Sequence, residues 1–263
     1  MLWIYNIPTW LLGILTVGAF VGFSTLGILV TRPLVRRVTG EPPNDGVDVV
    51  VGSVTLFYGL ILALIAVAVW EQFTRVDETV TQEAASVRAL YRDVESFPEP
   101  RRGILTQQLE KYVRDVIDKE WPAQRRGVVP NLGVADLSAF QETLANFEPK
   151  TPGQQVMDAE ALAQFNKTDE LRNARLQGVT AGVPASLWTI ILLGAVLTMV
   201  TTFFLGLDLV KQFVMSGFVA TIIALIVLMA VIVDHPFLGA YSVGPDAFEL
   251  MYSSMTSSNA RIH

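Results

Sequence analysis

Four stretches of this chain carry no Asp, Glu, Lys, Arg or His, and each is long enough to cross a bilayer. They are residues 10–30, 49–70, 188–207 and 213–233, of 21, 22, 20 and 21 residues. A hydrocarbon core about 30 Å thick needs roughly 20 helical residues. Buried helices of a soluble protein are the alternative. Four such runs within 263 residues argue against it. Arg32, Pro33, Arg36 and Arg37 are read as ending the first span, Pro184 as introducing the third, and Asp234, His235 and Pro236 as ending the fourth. Trp3, Tyr5, Trp10, Trp70 and Trp188 sit near the ends of the runs. There an apolar ring with a polar tip suits the headgroup zone. The first run is read as a retained helix rather than a signal peptide. It lacks a basic leader and exceeds the roughly 7–15 apolar residues of a signal core.

The loops between paired spans are short. Residues 31–48 hold Gly40, Pro42, Pro43 and Gly46, and the second connection holds Asp208 and Lys211. The expected fold class is therefore an all-α membrane protein with four transmembrane helices in two hairpins. A helical soluble segment, residues 71–184, stands between the second and third spans, and residues 234–263 form a tail with a short helix.

The charge gathers in that middle segment, which holds 14 of 19 basic and 18 of 25 acidic side chains. No proline or glycine interrupts residues 60–97. Apolar residues recur at spacings of three and four from Phe73 to Val94, so the second span continues as one long helix to about residue 97. A second helix is expected over Arg101–Trp121, ended by Pro122. A short one runs to Phe147 with Asp136 as its cap, and another runs from about Gln154 to Val179. Its apolar positions are Val156, Met157, Leu162, Phe165, Leu171 and Leu176.

Few chemistries remain open. There is no cysteine, and the only histidines are His235 and His263. No metal site, catalytic set or cofactor is expected, since no phosphate loop, dinucleotide fingerprint, zinc-protease motif or nucleophile elbow is present. A net charge of −6 argues against nucleic acid as a partner. Asn166-Lys167-Thr168 matches a glycosylation sequon, a pattern too short to carry weight alone. Glu71, Asp77, Glu78 and Glu83 read as a solvated face, with a charged pore vestibule as the other reading. Arg88, Arg92, Arg101 and Arg102 read as partners for neighbouring carboxylates. Spans without ionisable groups argue against a pump or a proton-coupled carrier. They leave passive conduction through an apolar constriction, or a scaffold that transports nothing.

The second span has two faces. Gly52, Gly59, Ala63 and Ala66 are small and are assigned to helix packing. Ser53, Phe57, Leu60 and Leu64 are bulkier. They line a pore if the chain forms an oligomer, and otherwise face lipid or a neighbouring helix.

The order of hairpin, long helical segment, hairpin and short tail resembles the bestrophin-like domain family. The likeness is carried by Phe57-Tyr58-Gly59, Trp70, Glu83, Leu90-Tyr91-Arg92, Glu120-Trp121, the stretch from Arg172 to Arg175, and Leu187-Trp188. Most telling is Asp234-His235-Pro236-Phe237-Leu238-Gly239. In it, Asp234, Pro236, Phe237 and Gly239 are similar to the Asn/Asp-Pro-Phe-Gly segment of true bestrophins, with Leu238 inserted. The acidic run that follows in calcium-gated bestrophins is matched only by Asp246 and Glu249. The resemblance implies a pentameric anion channel whose second span lines the pore. Its partners would be the lipid bilayer, inorganic ions and further copies of itself. The basic residues near the span ends, four against five, do not set the orientation. The resemblance places the soluble segment and both termini in the cytoplasm. The leading expectation is a homo-oligomeric, passively conducting ion channel. The alternative is a non-conducting membrane scaffold whose soluble segment binds a protein.

Overall fold

The computed structural model describes residues 2–39, 46–205 and 207–259. Gly40, Pro42, Pro43 and His263 lie outside the described residues, as do the side chains of Trp3, Arg36 and Arg37. Among the described residues every regular element is a helix. The principal ones are α1 (Thr9–Thr39), α2 (Val47–Glu95), α3 (Arg101–Asp115), α4 (Trp121–Gln124), α5 (Leu132–Ala145), α6 (Pro152–Val179), α7 (Ala185–Thr202), α8 (Leu209–Val233) and α9 (Asp246–Asn259). The chain divides into two compact units. One holds the residues up to Gln72 together with Gly182–Asp234, and the other holds Phe73–Ala181 together with the residues from His235 on.

The first unit holds four helices long and apolar enough to cross a membrane: Thr9–Pro33, the first part of α2, α7 and α8. Leu62, Ile191, Ala195, Met199, Ala220, Ile223 and Val227 are buried between them. Most other leucines, isoleucines and valines face outward, as lipid rather than water requires. The chief packing is of α1 on α8, with α7 against both. The main partner of the first span is thus the fourth rather than its neighbour in sequence. Pro33 lies inside α1 instead of ending it, at the loss of one backbone hydrogen bond. The third helix, expected over 188–207, stops at Thr202. There Gln212 of α8 donates to the carbonyl oxygen of Phe203 at 3.0 Å, and Ser216 donates to the Thr202 hydroxyl at 3.1 Å. The first of these bonds satisfies a carbonyl that the helix end leaves open.

The small residues that permit close approach are on other helices than expected. A Cβ added at Gly52 or Gly59 would meet nothing within 4 Å, and Ala63 is exposed. Only Ala66 of that face is buried. Close packing instead uses Ala220 and Ala224 of α8, four residues apart and both buried, together with Gly194 of α7. The ring of Tyr58 occupies the space where a Gly194 side chain would stand, and its hydroxyl donates to the Ile191 carbonyl at 2.8 Å.

In the second unit a buried stripe runs along α2 through Val76, Val80, Val87, Leu90 and Val94. It joins Leu105, Leu109, Tyr112 and Val116 from the α3 region, Leu137, Phe140 and Leu144 from α5, and Phe165 from α6. Phe248, Met251 and Met255 of α9 complete this core. The helix expected over Arg101–Trp121 is interrupted. A wider π turn, Val116–Glu120, separates α3 from α4. Pro122 falls in the first turn of α4, where its missing amide costs nothing, so it begins a helix rather than ending one. Asp136 does not cap α5. It lies inside the helix, buried, and pairs with Lys111. Thr151 caps α6, accepting from the Gln154 amide at 3.2 Å.

The contrast between the glycines is testable. Gly194→Ala displaces the Tyr58 ring and is expected to destabilise the detergent-solubilised protein by about 1–3 kcal/mol. Gly52→Ala and Gly59→Ala are expected to be neutral or mildly stabilising. Thermal unfolding of the three variants checks this, and equal losses at all three positions would contradict the packing described.

Candidate functional site

The outward side of α2 is set by what packs behind it. Val51, Tyr58, Leu62, Ala66 and Val69 lie on one side of the helix; all are buried but Tyr58, whose hydroxyl is bonded as above. At 3.6 residues per turn, Ser53, Phe57, Leu60 and Leu64 share the opposite side. Phe57, Leu60 and Leu64 are 65%, 58% and 63% exposed in the single chain, far more than packed core residues. Ser53 satisfies its hydroxyl on its own helix, donating to the Val49 carbonyl at 2.8 Å. The four residues therefore form one unpartnered, almost wholly apolar face along the membrane-crossing part of α2.

The segment after α8 is a set of anchors. Within the membrane unit, Asp234 is buried and accepts from the Val183 amide at 2.6 Å and from the Trp188 indole nitrogen at 3.4 Å. It thereby places a carboxylate beside the start of α7, where the helix dipole favours negative charge. Within the other unit, His235 Nδ1 lies 2.9 Å from the Ala181 carbonyl oxygen. Pro236, Phe237 and Leu238 are buried. The Pro236 carbonyl accepts from the Val243 amide at 2.8 Å, closing a loop in which Gly239 takes φ 81°. That left-handed conformation suits glycine. The Phe237 ring meets Trp121 edge-on at 5.7 Å. Asp246 and Glu249 occupy the first turn of α9, a placement the helix dipole alone favours.

The second unit also buries a quartet of charges. Arg175 donates to Glu83 through Nε at 2.6 Å and Nη2 at 3.2 Å, and to Glu120 through Nη2 at 3.0 Å. Arg172 donates to Glu120 at 3.2 Å, and so does the Gly133 amide at 2.8 Å. The Tyr112 hydroxyl donates to Glu83 at 2.8 Å. The Arg175 guanidinium stacks 5.6 Å from the Trp121 ring and 5.8 Å from that of Phe248. Two positive and two negative groups balance, so the cluster is neutral. Burial pushes the Glu120 carboxyl up, but the Arg175 and Arg172 guanidinium groups and the Gly133 amide hold it below its ordinary value. Tyr112 is raised well above its ordinary value, by burial first and then by the charge of Glu83, which keeps its hydroxyl a donor. Gly133 is required by contact, since a Cβ there would stand 2.7 Å from Glu120 Oε1 and 3.0 Å from Arg172 Nε.

This quartet corrects the reading of the acidic residues as one solvated face. Glu71, Asp77 and Glu78 are exposed, whereas Glu83 is fully buried. The signal was present. Positions 76, 80, 83, 87, 90 and 94 are spaced alternately by four and three, and Glu83 takes one place in that otherwise apolar series. The buried side of α6 likewise runs Ala161, Phe165, Thr168, Arg172, Arg175 and Val179. Of the apolar positions chosen by hydropathy, Phe165 is buried, Met157, Leu162, Leu171 and Leu176 are half-buried, and Val156 is exposed. The Thr168 and Ser86 hydroxyls pair at 2.8 Å within the same interface. Of the arginines read as partners for carboxylates, Arg101 donates instead to the Thr143 and Asn146 carbonyls at 2.9 and 2.8 Å, closing the end of α5. Arg102 pairs with Glu99 at 2.6 Å.

Of the residues that carried the family resemblance, Glu83, Glu120, Trp121, Arg172, Arg175 and Phe237 are buried in the second unit, whereas Phe57, Trp70, Arg92 and Leu187 are exposed. The chain belongs to the bestrophin-like family, since the Bestrophin-like domain model matches residues 18–248. Among solved structures it is similar to a bacterial bestrophin homologue from Klebsiella pneumoniae. The identity is 12% and the TM-score 0.67, over 93% of this chain and 97% of that one. It is also similar to a substituted form of a membrane protein, at 12% identity and a TM-score of 0.68, over 93% of this chain and 97% of that one. At such identities the likeness is one of fold. A comparison with curated protein sequences gave no match.

Removing one member of the quartet leaves a buried charge without its partner. Glu120→Gln is expected to cost about 3–5 kcal/mol at neutral pH. Because the folded-state value of Glu120 is depressed, its contribution is complete above the ordinary value of 4.5 and is lost as pH falls through the lower folded value. The gap between native and variant unfolding should therefore close on acidification. A variant as stable as the native chain at pH 7, or a gap independent of pH, would contradict the assignment.

Proposed function

We propose that this bestrophin-like chain assembles with copies of itself into a passively conducting ion channel, with α2 lining the axial pathway. The observation that carries the proposal is the exposed face of Ser53, Phe57, Leu60 and Leu64, opposite the side by which α2 packs on its own chain. Such a face lies against lipid in a single chain and around an axis when copies assemble with α2 innermost. There the four residues form rings that narrow the pathway with apolar groups. Such constrictions gate by wetting and dewetting and need no ionisable group, in keeping with spans that contain none. Five copies is the number the family likeness implies. That likeness also implies anions, although the pore face itself carries no basic residue. The quartet of Glu83, Glu120, Arg172 and Arg175 serves as a rigid, neutral brace rather than as part of the ion path.

Purified protein in planar bilayers is expected to give single-channel currents. Phe57→Ala and Leu64→Ala, which widen the apolar rings, should raise the open probability or the conductance several-fold. Silence across voltage and pH, or a stable monomer by mass photometry, would favour the scaffold reading instead.

The soluble unit and both termini are assigned to the cytoplasmic side of the cell membrane on the family likeness. Alkaline phosphatase fused to the C-terminus should accordingly be inactive, and high activity would reverse the orientation.

A further inference from the structure

The pore face of α2 has one more member within the membrane unit. Glu71 follows Ser53 by 18 residues, which is five turns at 3.6 residues each, and follows Leu64 by seven, close to two turns. It therefore stands on the same side of the helix, just beyond the apolar stretch. Its side chain is exposed, and none of the ion pairs among the described residues includes it. From Val49 to Trp70 the same helix carries no charge. In the pore proposed above, Glu71 is the first charged residue of α2 beyond the rings of Leu60 and Leu64.

We propose that Glu71 determines which ions the assembled protein passes, and that it selects cations. The inference rests on the oligomeric pore proposed above. Rotational symmetry turns one carboxylate per chain into a ring of carboxylates around a single mouth. Screening at physiological salt acts over about 8 Å, so charges on the outer surface contribute little while a ring inside a narrow mouth acts on every ion that passes. Acidic rings of this kind attract cations and repel anions. The chain as a whole, at −6, adds a field of the same sign. Arg75 is the nearest opposing charge on α2. It lies a further turn from the apolar stretch, is exposed, and forms no ion pair with Glu71. An ion leaving the constriction therefore reaches Glu71 first. This sets the expected ion of this chain apart from the anion that its family likeness implies.

The test is the potassium-to-chloride permeability ratio of the purified full-length chain, measured in planar bilayers under a tenfold gradient of potassium chloride. The native ratio should exceed one. Glu71→Gln should lower it several-fold, Glu71→Lys should bring it below one, and Glu71→Asp and Arg75→Gln should leave cations preferred. A native preference for chloride overturns the proposal, as does a ratio that both Glu71→Gln and Glu71→Lys leave unchanged. The absence of any current from the native chain removes the pore reading itself, and this assignment with it. Conduction by the native chain with the wrong ion preference removes this assignment alone.

Discussion

A charge taken out of water must be excluded, paired or neutralised, and the two units of this chain meet that requirement in different ways. In the membrane unit the spans contain no Asp, Glu, Lys, Arg or His. The polar groups that remain, such as Thr202, Gln212, Ser216 and the Tyr58 hydroxyl, turn to backbone carbonyls or to each other. In the other unit charge is admitted to the interior, but only as a balanced set. Glu83 and Glu120 receive donors from Arg172, Arg175, Tyr112 and Gly133. Each of the four charged groups alone would cost several kcal/mol to bury. Together they fix the α2, α3, α5 and α6 regions to one another.

The same requirement explains why α2 matters most. It is a single helix of 49 residues, about 73 Å long. Its first part buries Leu62, Ala66 and Val69 while leaving Phe57, Leu60 and Leu64 uncovered. Its later part contributes Glu83 to the quartet. An apolar face uncovered in one chain carries no penalty in lipid, and so does not by itself demand a partner. What singles this face out is its place on the helix that also anchors the buried charges.

The spans were legible because hydropathy massed over 20 residues needs no tertiary knowledge. The long α2 helix was legible because neither proline nor glycine interrupts it. The quartet was not, because reading apolar periodicity discards charged residues before asking where they fall. Glu83 and the Arg172–Arg175 pair occupy positions in alternating steps of four and three that would be read as core had they been aliphatic. The π turn at Val116–Glu120 was likewise hidden, since it leaves no mark in composition. The glycines misled in the other direction. Gly52 and Gly59 suggest close packing by residue type, yet nothing approaches them within one chain, while Tyr58 uses Gly194 instead.

In the channel proposed for this chain, the exposed side of α2 surrounds an axis. Direct imaging of the purified protein in a lipid nanodisc by electron microscopy tests it most directly. The expected result is a ring of copies in which Ser53, Phe57, Leu60 and Leu64 of every chain face a common central pathway. A monomer, or an oligomer in which those four side chains face lipid while another helix surrounds the axis, would contradict it.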